Sequence, residues 1–423
     1  MTVSNSHATS PILVSPPTRT VKVAAVADSD SYVKWAAATL EQLGSDFTTT
    51  LQVVRTAIAP SEAQIEAAVA GTRFERNLGG LSPQRISKTI ESLREDAPDV
   101  VLLAGTGPTI EIIAAMTQRF ARRPALISGI PGMALPARLK GIEFRAQGHA
   151  MIVHSHREAH EFGALLAERG VSQRLVVSHL PFLPPITSPH AHTPITSIVF
   201  TPQALVPSAP TSRSEILRAL HETATKHPQI DVIVKVRALA GEQQTHNERF
   251  PYDALWQELC ASDPTLDPGA LRFATGPLIN YLVPGSAHVT VSSTAALESM
   301  AAGLPTLILD DFGLNERLLN SVYANSGCIG SLADVTAVRF RLPEHEWMVQ
   351  NYFHPEPSQL PDSLRLLADQ SRNGTLPLNR PLNWRRRRRR LMRNYLRATL
   401  PPVLLQQLGR TRLRLRRLLR GGR

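Results

Sequence analysis

The chain has 423 residues, 43% hydrophobic and 5% aromatic, with two cysteines and a formal net charge of +11. That length accommodates two ordinary domains; Cys260 and Cys328 alone exclude a disulfide scaffold and point to a reducing, cytoplasmic setting; no apolar stretch approaches a bilayer span. The charge is localised: residues 380–423 hold 16 arginines and no Asp, Glu or Lys, leaving 30 basic against 35 acidic residues elsewhere. A mildly acidic body therefore carries a strongly basic tail.

Residues 1–20 lack a basic start and a long apolar core, so no signal peptide is expected and the segment reads as a disordered leader. From there apolar runs alternate with helical periodicity, the pattern of parallel α/β layers. VKVAAVAD leads into the helical SYVKWAAATLEQLG, and FTTTLQVV with SEAQIEAAVAG repeats the unit. SPQRISKTIESLRED reads as a helix with Ser82 as N-cap and Pro83 in its first turn. DVVLLAG passes through TGPT into IEIIAAMTQRF, and PALISGI, AMIVHS and RLVVS complete a first domain over 21–180.

Residues 181–195 lie in a Pro-, Ser-, Thr- and His-rich stretch that suits a linker. A second domain over 196–355 restarts with SIVFTPQ, the helix SRSEILRALHETATKHP, the strand IDVIVKVRA and the helix PYDALWQELCA. LRFATG, AHVTVSS and PTLILDD are further strands, and 356–423 is an extension ending in the basic tail. The expected fold is α/β, two Rossmann-like doubly wound domains facing across a cleft. Ligands in such sheets bind outside the carboxyl ends of the strands.

Residues just after strands therefore carry the functional reading. Asp30, in VADSDSYVKW, suits a general base on an acceptor hydroxyl, although Asp and Ser are equally good N-caps. Gly105, Thr106 and Gly107 form a turn that lets a ligand approach the backbone, too short for a dinucleotide or Walker pattern and equally readable as a plain turn. Gly129, Gly132, Arg145, His154, Ser155 and His156 suit an acceptor wall, with His154 as the second choice of base. Histidines two apart are also common at helix starts, and no zinc spacing is present.

In VIVKVRALAGEQQTH, Lys235 and Arg237 share one side of a strand, and Glu242, Thr245 and His246 follow as a polar cluster. An anion facing the two cations is one reading; snorkelling side chains on an edge strand is the other. Ser292, Ser293 and Thr294 stand where a strand hands over to a helix, a place that favours a phosphate. Glu298, one turn inside, suits a ribose contact or a capping box. A capped buried helix accounts for the same residues.

Together, VADSDSYVKWA, GIPG…KGIEFRAQ, HSHRE, VKVRALAGEQQTH, SSTAALESMAAGLP and DDFG resemble a family of bacterial glycosyltransferases, over most of residues 21–355. SSTAALESMAAGLPTLIL is similar to the segment of GT-B glycosyltransferases that holds the nucleotide diphosphate. The resemblance implies a GT-B-like fold and donor residues Lys235, Arg237, Glu242, His246, Ser292, Ser293, Thr294 and Glu298. Gly313, in DDFG, and Asn315 would stand on the next loop of the cleft. The implied reaction moves a sugar from a nucleotide-activated donor, with no cofactor. No DxD-type pair is evident, so metal independence is expected. A sugar-nucleotide epimerase of the same architecture and a non-catalytic binding protein remain open alternatives.

In the tail, Pro401 and Pro402 are followed by Leu404, Leu408, Leu415 and Leu419 on roughly one helical stripe among arginines. That pattern suits an anchor on an anionic membrane surface, a lipid-linked or envelope acceptor, and a peripheral position at the inner face of the plasma membrane. Nucleic acid would attract the same arginines, but few aromatics beyond Trp384 and Tyr395 interleave them and the body is acidic. A solvated disordered tail is the third reading.

Overall fold

In a computed structural model, residues 19–190, 193–237, 239, 248–382 and 390–395 are described. The first half contains β1 (Val21–Ala27), α1 (Asp30–Glu41), β2 (Phe47–Val53), α2 (Glu62–Val69), α3 (Ile86–Asp96) and β3 (Val100–Ala104). It continues with α4 (Gly107–Thr117), β4 (Ala125–Gly129), α5 (Leu139–Glu143), β5 (Ala150–Val153), α6 (His156–Glu168) and β6 (Arg174–Val177). Its strands form one parallel sheet in the order β2-β1-β3-β4-β5-β6. Helices cover both faces, which is why VVLLA and ALISG are buried at every residue rather than alternating.

The second half contains β7 (Ser197–Phe200), α7 (Pro210–Lys226), β8 (Asp231–Lys235), α8 (Tyr252–Ser262), β9 (Arg272–Ala274), β10 (Ser286–Thr290) and α9 (Ala295–Ala301). β11 (Thr306–Leu309), β12 (Ile329–Gly330), α10 (Leu332–Thr336), α11 (His345–Gln350) and α12 (Leu360–Arg372) follow. The second parallel sheet has the order β12-β11-β10-β7-β8-β9. Each sheet thus reverses its strand order once, at β1/β3 and at β7/β10, and the architecture is a two-domain α/β fold of GT-B-like type.

The third helix starts later than the sequence suggests. Ser82 and Pro83 precede it because Gln84 is held in an extended bridge to Val54, its N–H donating to Val53 O at 2.9 Å. Helix α3 opens only at Ile86, with Arg85 at the N-cap position.

The extension after residue 355 does not leave the body at once. Helix α12 returns to the first half and buries Leu360, Leu364, Leu367 and Ala368 in its core. Arg372 Nη2 stands 2.6 Å from Asp99 Oδ2, and Arg365 Nη2 2.7 Å from Asp46 Oδ2. Burial raises the Asp99 carboxyl, but Arg372, the Lys22 N–H and Arg122 outweigh it and hold it below the usual carboxylate range.

The halves are joined by an apolar cluster. Leu135 and Leu180 pack there with Ala296, Leu297, Met300, Val322, Tyr323, Trp347 and Tyr352. Two polar bonds flank it, Arg138 Nη2 to Glu316 O at 2.8 Å and Tyr352 Oη to Glu158 Oε1 at 2.8 Å.

Candidate functional site

Both reversal points are closed by hydrogen-bonded pairs. At β7/β10, Ser292 Oγ donates to Gln203 Oε1 at 2.5 Å while Gln203 Nε2 donates to Ser292 O at 2.9 Å. At β1/β3, the Asp28 carboxylate accepts from Thr106 N at 3.0 and 3.1 Å and from Thr106 Oγ1 at 2.5 Å. These are the crevices where open α/β sheets take ligands. The two pairs form their floor and fix the first turn of the helix that follows each.

The three hydroxyls of the second half divide their labour. Ser292 is buried and committed to Gln203. Ser293 Oγ accepts from Ala295 N at 3.2 Å across the turn ahead of α9, whose N-cap position is Thr294, and its carbonyl is held by Tyr323 Oη at 2.8 Å. Thr294 is half-buried and faces the first half: a Cβ on Gly132 would lie 3.2 Å from Thr294 Cγ2. Gly132 also has φ +82°, a left-handed conformation that favours glycine. Glu298 belongs to no capping box on α9.

Lys235 ends β8 half-buried, and Arg237 beside it is exposed. Neither makes an ion pair at bonding distance among the described residues. Burial lowers the Lys235 ammonium pKa, and repulsion from Arg237 and Lys34 lowers it further against the pull of Glu298. Glu298 is raised by burial and drawn back by Lys34 and Lys235. Lys34 stands on α1 of the first half, so its coupling to Glu298 links the halves, while Arg237 is drawn also to Glu248, the partner of Arg213.

Arg213 escapes the sequence reading. Its buried guanidinium donates to Pro207 O at 2.9 Å, Ala204 O at 2.7 Å and Gln203 O at 3.2 Å, pairs with Glu248, and lies 4.7 Å over the Tyr252 ring. It therefore joins the β7–α7 turn carrying Gln203 to Glu248, Phe250 and Tyr252 ahead of and at the start of α8. No local signal marks it, because Glu248 is 35 residues away. Gln203 is findable, since it follows β7 as Ser292 follows β10.

In the first half, Arg145 is buried and donates to Tyr32 Oη at 2.8 Å, Gly141 O at 3.0 Å, and Gly129 O and Gly105 O at 3.3 Å. One guanidinium thus gathers the turns after β3 and β4. Burial raises the Tyr32 hydroxyl, with Arg145 opposing and Asp28 reinforcing. Asp30, half-buried, opens α1 on the same edge, and its Oδ1 accepts from Ser31 Oγ at 3.4 Å. Gly107 is required by packing, because a Cβ there would collide with the Phe144 ring. Gly105 lies against Asp28, whose Cγ would stand 3.3 Å from an added Cβ.

His154 is a core histidine, which corrects its place among candidate bases. Trp35 Nε1 donates to its Nε2 at 2.9 Å and its Nδ1 bonds Ser178 O at 3.0 Å, so both ring nitrogens are occupied. Burial lowers its pKa to about 4. Neighbouring Glu158, also buried, accepts from His154 N, Ala134 N and Tyr352 Oη at 2.8–2.9 Å. Its role is to fasten the two halves, and burial raises its pKa above these opposing bonds.

Gly313 has φ +98° in a turn closed by its N–H to Asp310 O at 2.7 Å, with Asn320 Nδ2 donating to its carbonyl at 2.9 Å. Glu242, Thr245, His246 and most of the tail arginines lie outside the described residues. Within the tail, Arg390 pairs with Glu111, at 2.5 Å, and with Glu143. An open groove between α7 and α10, lined by Glu222, Lys226, His227 and Thr336, lies on the outer helical layer, remote from these groups. No described helix is long and apolar enough to cross a membrane.

The chain belongs to the family described as "Putative glycosyltransferase (DUF6716)", which matches residues 23–367, in agreement with the resemblance read from its motifs. No curated protein matches the sequence. Among solved structures it is similar to a putative UDP-N-acetylglucosamine 2-epimerase from Listeria monocytogenes. The identity is 12%, the coverage 86% of this chain and 99% of that one, and the TM-score 0.51. It is also similar to the UDP-GlcNAc 2-epimerase of Methanocaldococcus jannaschii, at 11% identity, 82% and 100% coverage and TM-score 0.50. At these identities the likeness establishes the fold.

Proposed function

We propose that the chain is a metal-independent glycosyltransferase that moves a sugar from a nucleotide-activated donor to an envelope or lipid-linked acceptor at the inner face of the plasma membrane. The observation that carries the reading is the cationic group at the second sheet's carboxyl edge. Lys235, Arg237 and Lys34 outnumber the carboxylates that act on them, Glu298 on α9 and Glu248, the latter already paired with Arg213. Family membership supplies the reaction class.

In this reaction the acceptor oxygen bonds the sugar's anomeric carbon while the bond from that carbon to the diphosphate breaks. The electron pair leaves on the diphosphate, where Lys235 and Arg237 would stabilise the developing charge. The acceptor proton passes to a base, for which Asp30 is our candidate. Ser293 and Thr294, at the α9 junction, would border the phosphates, with Ser292 holding the junction in place. Glu298 would meet the ribose, and Glu242 and His246 would complete the donor loop.

The test is a panel of nucleotide sugars, read by thermal shift and by release of free nucleotide. UDP-N-acetylglucosamine goes first, because the two similar structures above are named for it. Conversion of that sugar at C2 without an acceptor would establish an epimerase instead. A thermal shift with no nucleotide release, even with membrane lipid supplied as acceptor, would favour a binding protein.

A further inference from the structure

We propose that His156, His354 and Glu356 bind one divalent transition-metal ion of the zinc class, which fastens the returning C-terminal segment to the first half. One ligand atom from each of the three lies within 4.8 Å of the others. Glu356 Oε2 is 3.1 Å from His156 Nε2 and 3.5 Å from His354 Nδ1. Ligands bound to zinc at about 2.0–2.1 Å in a tetrahedron stand roughly 3.3 Å apart, so both separations are near that of a closed site.

His354 supplies an independent reason. It is 2% exposed, yet neither ring nitrogen makes a well-formed hydrogen bond, the contact of Nδ1 with Glu356 Oε2 being long at 3.5 Å. Buried polar nitrogens are ordinarily satisfied, and an ion at Nδ1 would satisfy one of these. The ring is held for the purpose: His179 stacks on it at 4.5 Å between centroids, and His179 Nε2 bonds the His354 carbonyl at 3.1 Å. His156 and Glu356 have side chains 45% and 56% exposed, so an ion can enter and keep a solvent position.

Two imidazole nitrogens and a carboxylate oxygen suit zinc and its neighbours rather than magnesium or calcium. His156 opens α6 in the first half, whereas His354 and Glu356 lie between α11 and α12, where the chain crosses back from the second half. The sequence offers no metal-ligand spacing; the fold assembles the set from residues 198 positions apart. This site uses none of the proposed donor residues, and its test does not depend on transfer activity.

The experiment uses the full chain, free of any affinity tag and stripped with chelator, titrated with zinc chloride by calorimetry and with cobalt(II) by visible absorption. The expected result is one equivalent bound, with a higher melting temperature when zinc is present. Affinity should fall at least about tenfold in both His156→Ala and Glu356→Gln, and stay unchanged in His221→Ala. Both altered ligands are exposed, so the variants should keep wild-type circular dichroism without metal. Failure of the wild type to bind an equivalent, or wild-type affinity in the two variants, would overturn the site.

Discussion

Ser292 and Gln203 exchange two hydrogen bonds across the reversal point of the second sheet, though 89 positions separate them. The pair sets where β10 hands over to α9, so its loss should affect stability and catalysis together. Ser292→Ala should cost about 1–3 kcal/mol, because it leaves the half-buried Gln203 carbonyl oxygen without its donor. Urea melts should show the loss, and nucleotide release should slow without a matching change in acceptor affinity. Full stability in the variant would mean that the pair does not organise the junction.

Lys235 separates a structural from a functional reading. A half-buried ammonium with no bonding partner among the described residues costs desolvation. Lys235→Met keeps the length of the side chain and removes that cost, so its melting temperature should equal or exceed the wild type's. A marked drop would show that Lys235 supports the fold rather than a ligand.

His288, fully buried on β10, makes stability depend on acid. Burial lowers its pKa to about 3 from 6.5 in the unfolded chain. The unfolded state therefore takes up its proton first as pH falls. The residue's contribution is whole above about pH 6.5 and declines through the window down to about 3. Between pH 6.5 and 5 the decline amounts to about 2 kcal/mol. Urea midpoints of wild type and His288→Gln, compared at those two values, should differ in slope by that amount. Parallel slopes would count against a neutral His288 in the fold.

The basic tail is best cut after its described helical residues, 390–395. Arg390 neutralises the buried Glu111, so removing all of residues 380–423 would also strand that carboxylate. Deleting 396–423 takes half of the tail's arginines and spares the pair. Flotation with anionic vesicles should fall sharply in the shorter chain and weaken with salt in the full one. Equal flotation of both chains would refute the membrane anchor.

The layers were legible because buried parallel strands such as VVLLA read as unbroken apolar runs and turn residues separate them. What was lost depended on distant partners. Gln84 looks helical until Val54 pairs with it, and α12 shows its purpose only against the first core. The site divides the same way. Residue types at strand ends pointed to Lys235 and Ser292–Thr294, but pairing decided their roles. Ser292 turned inward to Gln203, and His154 went to Trp35 and Ser178. Arg213 and the histidine cluster have no local signature, since each is made by contacts far apart in the chain.

The most direct test of the cationic donor edge is nucleotide release from the nucleotide-sugar panel by wild type and by folded Lys235→Met. The account predicts turnover of at least one donor by the wild type and a loss of about a hundredfold or more in the variant. Undiminished turnover in Lys235→Met, or no donor bound or consumed by the wild type, would contradict it.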